Sequence, residues 1–341
     1  MNKAMQKKLT MAAIVLVVVV IGLGAFTRLA DAGLGCPDWP GCYGFVGIPL
    51  KAETIEKANQ AFPDQPYELA KAWPEMVHRY FAGALGLVVF ALFIIAMKRR
   101  QYSDACVKLS TGLLILITFQ AALGAWTVTE KLHPVVVMGH LLGGFATLSL
   151  LAVLTLRLYQ PNINIAPEVI RSKRLISIGI IAVAIQIALG GWTSANYAAL
   201  ACTDLPICFA GWYEHTDFAE GFTLWGHNAE TYQYGVLSNE AKIAVHAAHR
   251  IGAIVVTAIL LSILFILFRK SRTKTVKTFS IALLVLLVLQ ITLGVVNVTM
   301  NLPLLNAVAH NLVAAFLLVT LVGLRALIWV NETNKTEPAH V

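Results

Sequence analysis

The chain has 341 residues, of which 58% are apolar and only 13% charged. A soluble domain carries about 25% charged residues, so this balance excludes an ordinary water-soluble fold and makes lipid the solvent. The formal net charge of +8 does not mark a nucleic-acid binder, because the basic residues sit in short loops between apolar runs, where they set membrane orientation.

A membrane helix needs roughly 20 apolar residues to cross a hydrocarbon core of about 30 Å. Eight segments meet that length, at about 9–28, 76–97, 107–129, 135–157, 174–196, 243–268, 278–300 and 304–330. The first follows Lys3, Lys7 and Lys8, as a signal peptide would. Its apolar run is longer than a signal core and seven more spans follow, so it is read as a retained helix. No Arg- and Ser-rich transit sequence precedes it, and the expected location is therefore a bacterial plasma membrane.

Basic residues mark one set of loops. These hold Lys98, Arg99, Arg100 and Lys108, then Arg171, Lys173 and Arg174, then Arg269, Lys270, Arg272, Lys274 and Lys277. Those loops and both termini are expected on the cytoplasmic side. The opposite loops, at about 29–75, 130–134, 197–242 and 301–303, carry Asp31, Asp38, Glu53, Glu56, Asp204, Glu214, Asp217 and Glu220. Cys36 and Cys42 share the first of them, and Cys202 and Cys208 the third. Disulfides persist on the oxidising side of a membrane, so two intraloop disulfides are the leading expectation. A reduced or metal-binding pair is the alternative, although C-x5-C without a neighbouring His is a weak zinc pattern. Cys106 stands alone on the other side.

The two halves copy each other. Gly24-Ala-Phe-Thr-Arg28 matches Gly190-Gly-Trp-Thr-Ser194, and Cys36-Pro-Asp-Trp-Pro-Gly-Cys42 matches Cys202-Thr-Asp-Leu-Pro-Ile-Cys208. His78-Arg79 matches His249-Arg250, Gln120-Ala-Ala-Leu-Gly124 matches Gln290-Ile-Thr-Leu-Gly294, and His140 matches His310. Four spans per repeat give both halves the same orientation. The expected fold is an all-α polytopic membrane protein: two tandem four-helix bundles, 1–160 and 161–341, related by a pseudo-two-fold axis along the membrane normal and packed through small residues.

Ionisable groups within spans are costly and usually functional. His78, His140, His249 and His310 each lie near the external end of a span, about 10 Å deep at the helical rise. Haem iron takes axial imidazoles from facing helices. One turn along the same face from each stands a small residue, Ala82, Gly144, Ala253 or Ala314, which suits a flat macrocycle. A lone membrane histidine is more often a hydrogen-bonded structural residue, but that does not account for four at matched depth. Zinc or copper would bring carboxylate or thiolate ligands in a tighter cluster.

His246 shares a helix face with His249, and either could be the ligand. The following arginine aligns His249 with His78, while His246 aligns with Glu75. A repeat that keeps the iron ligands and changes a nearby acid suggests two haem sites with different tasks. Glu75 is placed for proton transfer or charge stabilisation, or is a helix-start acid favoured by the dipole. Arg28, Arg79 and Arg250 lie at the same level, where they could pair with haem propionates or anchor the spans. His133, His215, His227 and His340 lie in loops or the tail and receive no role.

Together these residues resemble the haem A synthase family, most specifically in Gly24-x-x-Thr-Arg28, in Gly33-Leu-Gly-Cys36-x-Asp38-Trp39-Pro40 and in Glu75-x-x-His78-Arg79. The resemblance covers nearly the whole chain. It implies oxidation of the C8 methyl of haem O to a formyl group, through successive hydroxylations, giving haem A for aa3-type terminal oxidases. It implies that His78 and His140 hold the substrate haem, with Glu75 as the functional acid of that half. It further implies that His249 and His310 hold a haem b that relays electrons, and that Cys36 and Cys42 serve activity or haem handover. Expected partners are a haem O synthase, oxidase assembly factors and a second copy of the chain. Two other readings compete: a b-type electron-transfer subunit, which would place its haems at different depths, and a haem exporter or chaperone, which would need neither Glu75 nor a fixed second haem.

Overall fold

The computed structural model describes residues 3–336 apart from Asn162, Asn164, Asn228 and Arg272. Arg272 and His340 therefore lie outside the described residues. Helices α1 (Lys3–Leu29), α2 (Ala52–Ala61), α3 (Leu69–Lys98), α4 (Asp104–Thr129), α5 (Pro134–Tyr159) and α6 (Pro167–Arg171) come first. They are followed by α7 (Lys173–Ala195), α8 (Phe218–Gly221), α9 (Asn239–Lys270), α10 (Lys274–Thr299) and α11 (Leu304–Thr336). Among the described residues no sheet forms, and Cys42 and Phe45 make an isolated antiparallel bridge. Helices α1, α3, α4, α5, α7, α9, α10 and α11 are long and apolar enough to cross a membrane. Lipid offers the main chain no hydrogen bonds, so each crossing segment satisfies its own as a helix.

Most helix boundaries fall within a few residues of the apolar runs. The starts of α1, α3 and α9 are earlier, because a helix can continue past the hydrocarbon into polar residues. Ser238 caps α9 by accepting from the Ala241 N–H, and Pro134 opens α5 where its missing N–H costs nothing.

Helices α1, α3, α4 and α5 pack as a ring in the order α1–α3–α4–α5, closing back on α1. Helices α7, α9, α10 and α11 pack in the equivalent order. The two rings meet where α5 and α11 pack together, flanked by α1 on α11 and α5 on α7. Buried apolar side chains from both rings form one contiguous core. The main chain repeats as well. Lys131 and Leu132, between α4 and α5, have positive φ, and so do Asn301 and Leu302 between α10 and α11. The Leu132 N–H donates to the Thr127 carbonyl at 2.8 Å and the Leu302 N–H to Asn297 at 2.7 Å.

Two loops cap one end of the rings. In the first, Cys36, Cys42, Tyr43, Ala58, Ala72 and Met76 make a small separate core. The Tyr43 hydroxyl donates to the Pro66 carbonyl at 3.2 Å. Burial, helped by Glu68 and other nearby acidic groups, pushes that phenol up to about 12. Under the loop before α9, Trp192 of α7 packs with Ala198, Leu237, Ala241 and Val245, and its indole N–H donates to the Gly221 carbonyl at 2.8 Å. Both expected disulfides are present, Cys36–Cys42 and Cys202–Cys208. Cys106 is free and buried near the start of α4.

Candidate functional site

In each ring the paired histidines come from helices that stand diagonally. His78 on α3 faces His140 on α5 across the first ring, with ring centroids 6.3 Å apart and planes at 85°. His249 on α9 and His310 on α11 occupy the equivalent diagonal and lie within electrostatic reach of each other. The remaining two helices of each ring supply a glycine against each imidazole. A Cβ added at Gly24 would lie 2.9 Å from Cε1 of His78, and one at Gly124 would lie 3.5 Å from Cε1 of His140. In the second ring the distances are 2.9 Å from Gly190 to His249 and 3.2 Å from Gly294 to His310. The repeat matched these four glycines by sequence without assigning them a task. The structure makes each one the seat of a histidine.

Two imidazole nitrogens binding one iron at about 2 Å each put their ring centroids roughly 6 Å apart, and the His78–His140 separation fits that requirement. The carbonyls of Val20, Gln120 and Gln290 approach His78, His140 and His310. None completes a hydrogen bond, and Nδ1 of all three rings stays buried and unpaired. Buried polar groups are normally satisfied, so His78 and His140 are not explained as structural hydrogen-bonding residues; His310 differs in having a side-chain partner at Nε2. Among the described residues no three His, Cys, Asp or Glu converge as a compact metal centre would require. A bis-imidazole porphyrin site fits this donor set. A tetrahedral zinc site does not.

The halves differ around the rings. The Gln186 amide donates to the His249 carbonyl at 2.8 Å and lies 3.0 Å from Nδ1 of His249. The residue at the equivalent place in the first repeat is Val20, which has no polar side chain. The Gln290 amide lies 3.2 Å from Nε2 of His310, and the Asn306 amide spans the Leu293 carbonyl and the Asn297 side chain. Sequence reading missed Gln186 because it has no counterpart across the repeat.

Glu75 and His246 have the same task in their two halves. Oε2 of Glu75 accepts the Cys36 N–H at 2.9 Å and Oε1 accepts from Arg79. In the second half Nδ1 of His246 is 3.2 Å from the Cys202 N–H and Nε2 is 3.1 Å from Nε of Arg250. A Cβ at Gly35 would collide with the Lys71 carbonyl, so only glycine lets the first loop reach Glu75. Both ring nitrogens of His246 are turned to its own loop and arginine, leaving His249 as the residue that shares a diagonal with His310.

The arginines have protein partners. Arg79 donates to the carbonyls of Asp38, Pro40 and Gly41. Arg250 donates to those of Cys202, Asp204 and Ile207. Each guanidinium thereby clamps a disulfide loop onto the helix that carries an adjacent histidine. Arg28 joins the halves: Nη2 donates to the Ser194 carbonyl at 2.5 Å, Nη1 lies 3.8 Å from Asp31, and the guanidinium stacks on Tyr197. Of the small residues expected to line the macrocycle, Ala253 is exposed, while Ala82, Gly144 and Ala314 are half-buried. His133 stacks on Trp225 with centroids 4.9 Å apart, away from the four-histidine sites.

The model of the COX15-CtaA cytochrome oxidase assembly proteins matches residues 7–322. A haem A synthase from Shewanella oneidensis is 45% identical over 317 residues, covering 93% of this chain and 94% of that protein. One from Flavobacterium johnsoniae is 25% identical over 331 residues, covering 89% and 92%. One from Shouchella clausii is 29% identical over 204 residues, covering 58% and 61%. The match runs through all eight crossing helices and both histidine diagonals, and on that ground the chain belongs to the COX15-CtaA family of cytochrome oxidase assembly proteins.

Proposed function

We propose that this chain is a membrane oxidoreductase that converts haem O to haem A by oxidising a ring methyl group to a formyl group. The similarity to haem A synthases along nearly the whole chain supports the reaction. The observation that carries it to a site is the buried His78–His140 pair, which faces across its ring at a separation suited to one iron.

The first half, 1–160, is assigned the substrate, held through His78 and His140. The second, 161–341, is assigned a haem b held through His249 and His310, with the two halves related by a two-fold axis along the membrane normal. Haem b, when bound, supplies one-electron chemistry and so a path for electrons leaving the substrate. Gln186 supports that assignment, because a side chain that fixes an imidazole suits a permanently held group better than one that must be exchanged. Gly24, Gly124, Gly190 and Gly294 keep the four rings from being pushed out of line. Glu75 holds the first loop at the mouth of the substrate site through the Cys36 N–H, and holds Arg79 in place. As the carboxylate one turn from His78 it is also the group assigned to receive a proton there. Arg28, Arg79 and Arg250 stand at the rim, where a propionate would share donors now given to loop carbonyls. The two disulfide loops are placed on the external side of a bacterial plasma membrane, with both termini cytoplasmic. The expected partners are a haem O synthase, oxidase assembly factors and a second copy of the chain.

Pigment extraction tests this reading. Protein purified from cells supplied with haem O should yield haem B together with haem O or haem A. Haem B alone, with no conversion of added haem O, would favour an electron-transfer protein instead.

A further inference from the structure

At the end of the rings remote from the disulfide loops, α5, α7 and α11 pack pairwise and leave an open groove of about 340 Å³. Its walls are Val153 of α5, Ile180 of α7, and Val322, Ala326 and Trp329 of α11. One charged residue, Arg325, lines it. Nε of Arg325 donates to the Ser177 hydroxyl at 3.3 Å. Among the described residues no carboxylate lies within ion-pair distance of Arg325. Lys173, at the same end, is matched to Glu332 at 2.7 Å. From Leu304 to Arg325 helix α11 rises roughly 30 Å, about the thickness of the hydrocarbon core. Arg325 therefore stands at its far edge, where its long side chain can reach outward to a lipid phosphate. Trp329 is one turn further on and 37% exposed, the depth at which indoles favour the membrane interface. The Arg157 guanidinium stacks on that indole at 3.5 Å.

We propose that this groove is a binding site for an anionic phospholipid, with the phosphate on Arg325, the headgroup beside Trp329, and one acyl chain along Val153, Ile180, Val322 and Ala326. Basic pockets between membrane helices select acidic headgroups in this way. The apolar walls would be of no use to inorganic phosphate. The groove lies on the seam between the two rings, so its occupant would bind both halves together. The proposal does not depend on the haem reaction.

Native mass spectrometry of the detergent-purified, pigmented protein tests it, with phosphatidylglycerol or phosphatidylcholine added. The parent should retain one phosphatidylglycerol per chain at energies that strip phosphatidylcholine. Arg325→Met should lower that retention at least threefold, and Val322→Trp, at a half-buried groove wall and with the charge kept, should do the same. Equal retention of the two lipids, undiminished phosphatidylglycerol on either variant, or displacement of the lipid by excess inorganic phosphate would each overturn the assignment. If Arg325→Met gives no folded protein, Val322→Trp decides.

Discussion

The Cys202 N–H meets Nδ1 of His246 at 3.2 Å in the place where the first repeat sets the Cys36 N–H on the Glu75 carboxylate. A carboxylate accepts from the loop and from the arginine together. A neutral imidazole has one acceptor nitrogen, so His246 satisfies Cys202 or Arg250 but not both. His246 is thus a loop latch in a position better suited to an acid. His246→Glu should keep the full pigment content and raise the thermal stability of the second half. His249→Ala should lose the pigment of that half. Loss of pigment in a folded His246→Gln protein would reverse the assignment.

Glu75 has two separable tasks. Glu75→Gln keeps an oxygen for the Cys36 N–H while removing the charge, so pigment binding should survive and conversion of haem O should fall at least tenfold. Glu75→Ala also removes the acceptor of the Cys36 N–H and the ion-pair partner of the half-buried Arg79, which keeps only its loop carbonyls. That variant should lose the ordered first loop as well, seen as faster proteolysis between α1 and α3. Equal conversion by Glu75→Gln and the parent would remove the carboxylate from the chemistry.

The glycine seats make a graded series. The spacings predict the strongest effect for Gly24→Ala and Gly190→Ala, a smaller one for Gly294→Ala and the smallest for Gly124→Ala. Overpacking of this kind costs about 1–3 kcal/mol and should displace one imidazole. Gly24→Ala should lower the pigment of the first half, and Gly190→Ala that of the second. Visible spectra of the four purified variants check the order, and four identical spectra would contradict it.

The spans were legible because lipid forces a run of apolar residues into a helix. The repeat and its four histidines were legible because both copies keep them. The early starts of α1, α3 and α9 were not, since hydropathy reports where the lipid ends rather than where hydrogen bonding does. Helix α2 was not legible either, in a loop whose Pro, Gly and aromatic residues fit many conformations. The His246 ambiguity needed three dimensions, because His246 and His249 share a helical face by spacing and only the position of Cys202 separates them. The clamping role of Arg79 and Arg250 was hidden for the same reason: their carbonyl partners include Asp38, 41 residues away in sequence, and Cys202, 48 residues away.

Tyr43 gives the first loop an alkaline limit. Its pKa is raised in the fold, so its contribution is fully present below the unfolded value near 10 and is lost as pH rises through about 12. Tyrosinate absorbance should show phenols ionising late, because burial raises Tyr67 and Tyr197 as well, and Tyr43→Phe should remove the step near 12. An unchanged titration would place that step elsewhere.

The most direct measurement is haem type and quantity in purified histidine variants. His78→Ala and His140→Ala should each deplete haem O and haem A while leaving haem B, and His249→Ala and His310→Ala should each deplete haem B. If all four variants kept the parent's pigments, or each lost both kinds equally, two separate bis-histidine sites could not be the basis of this protein's work.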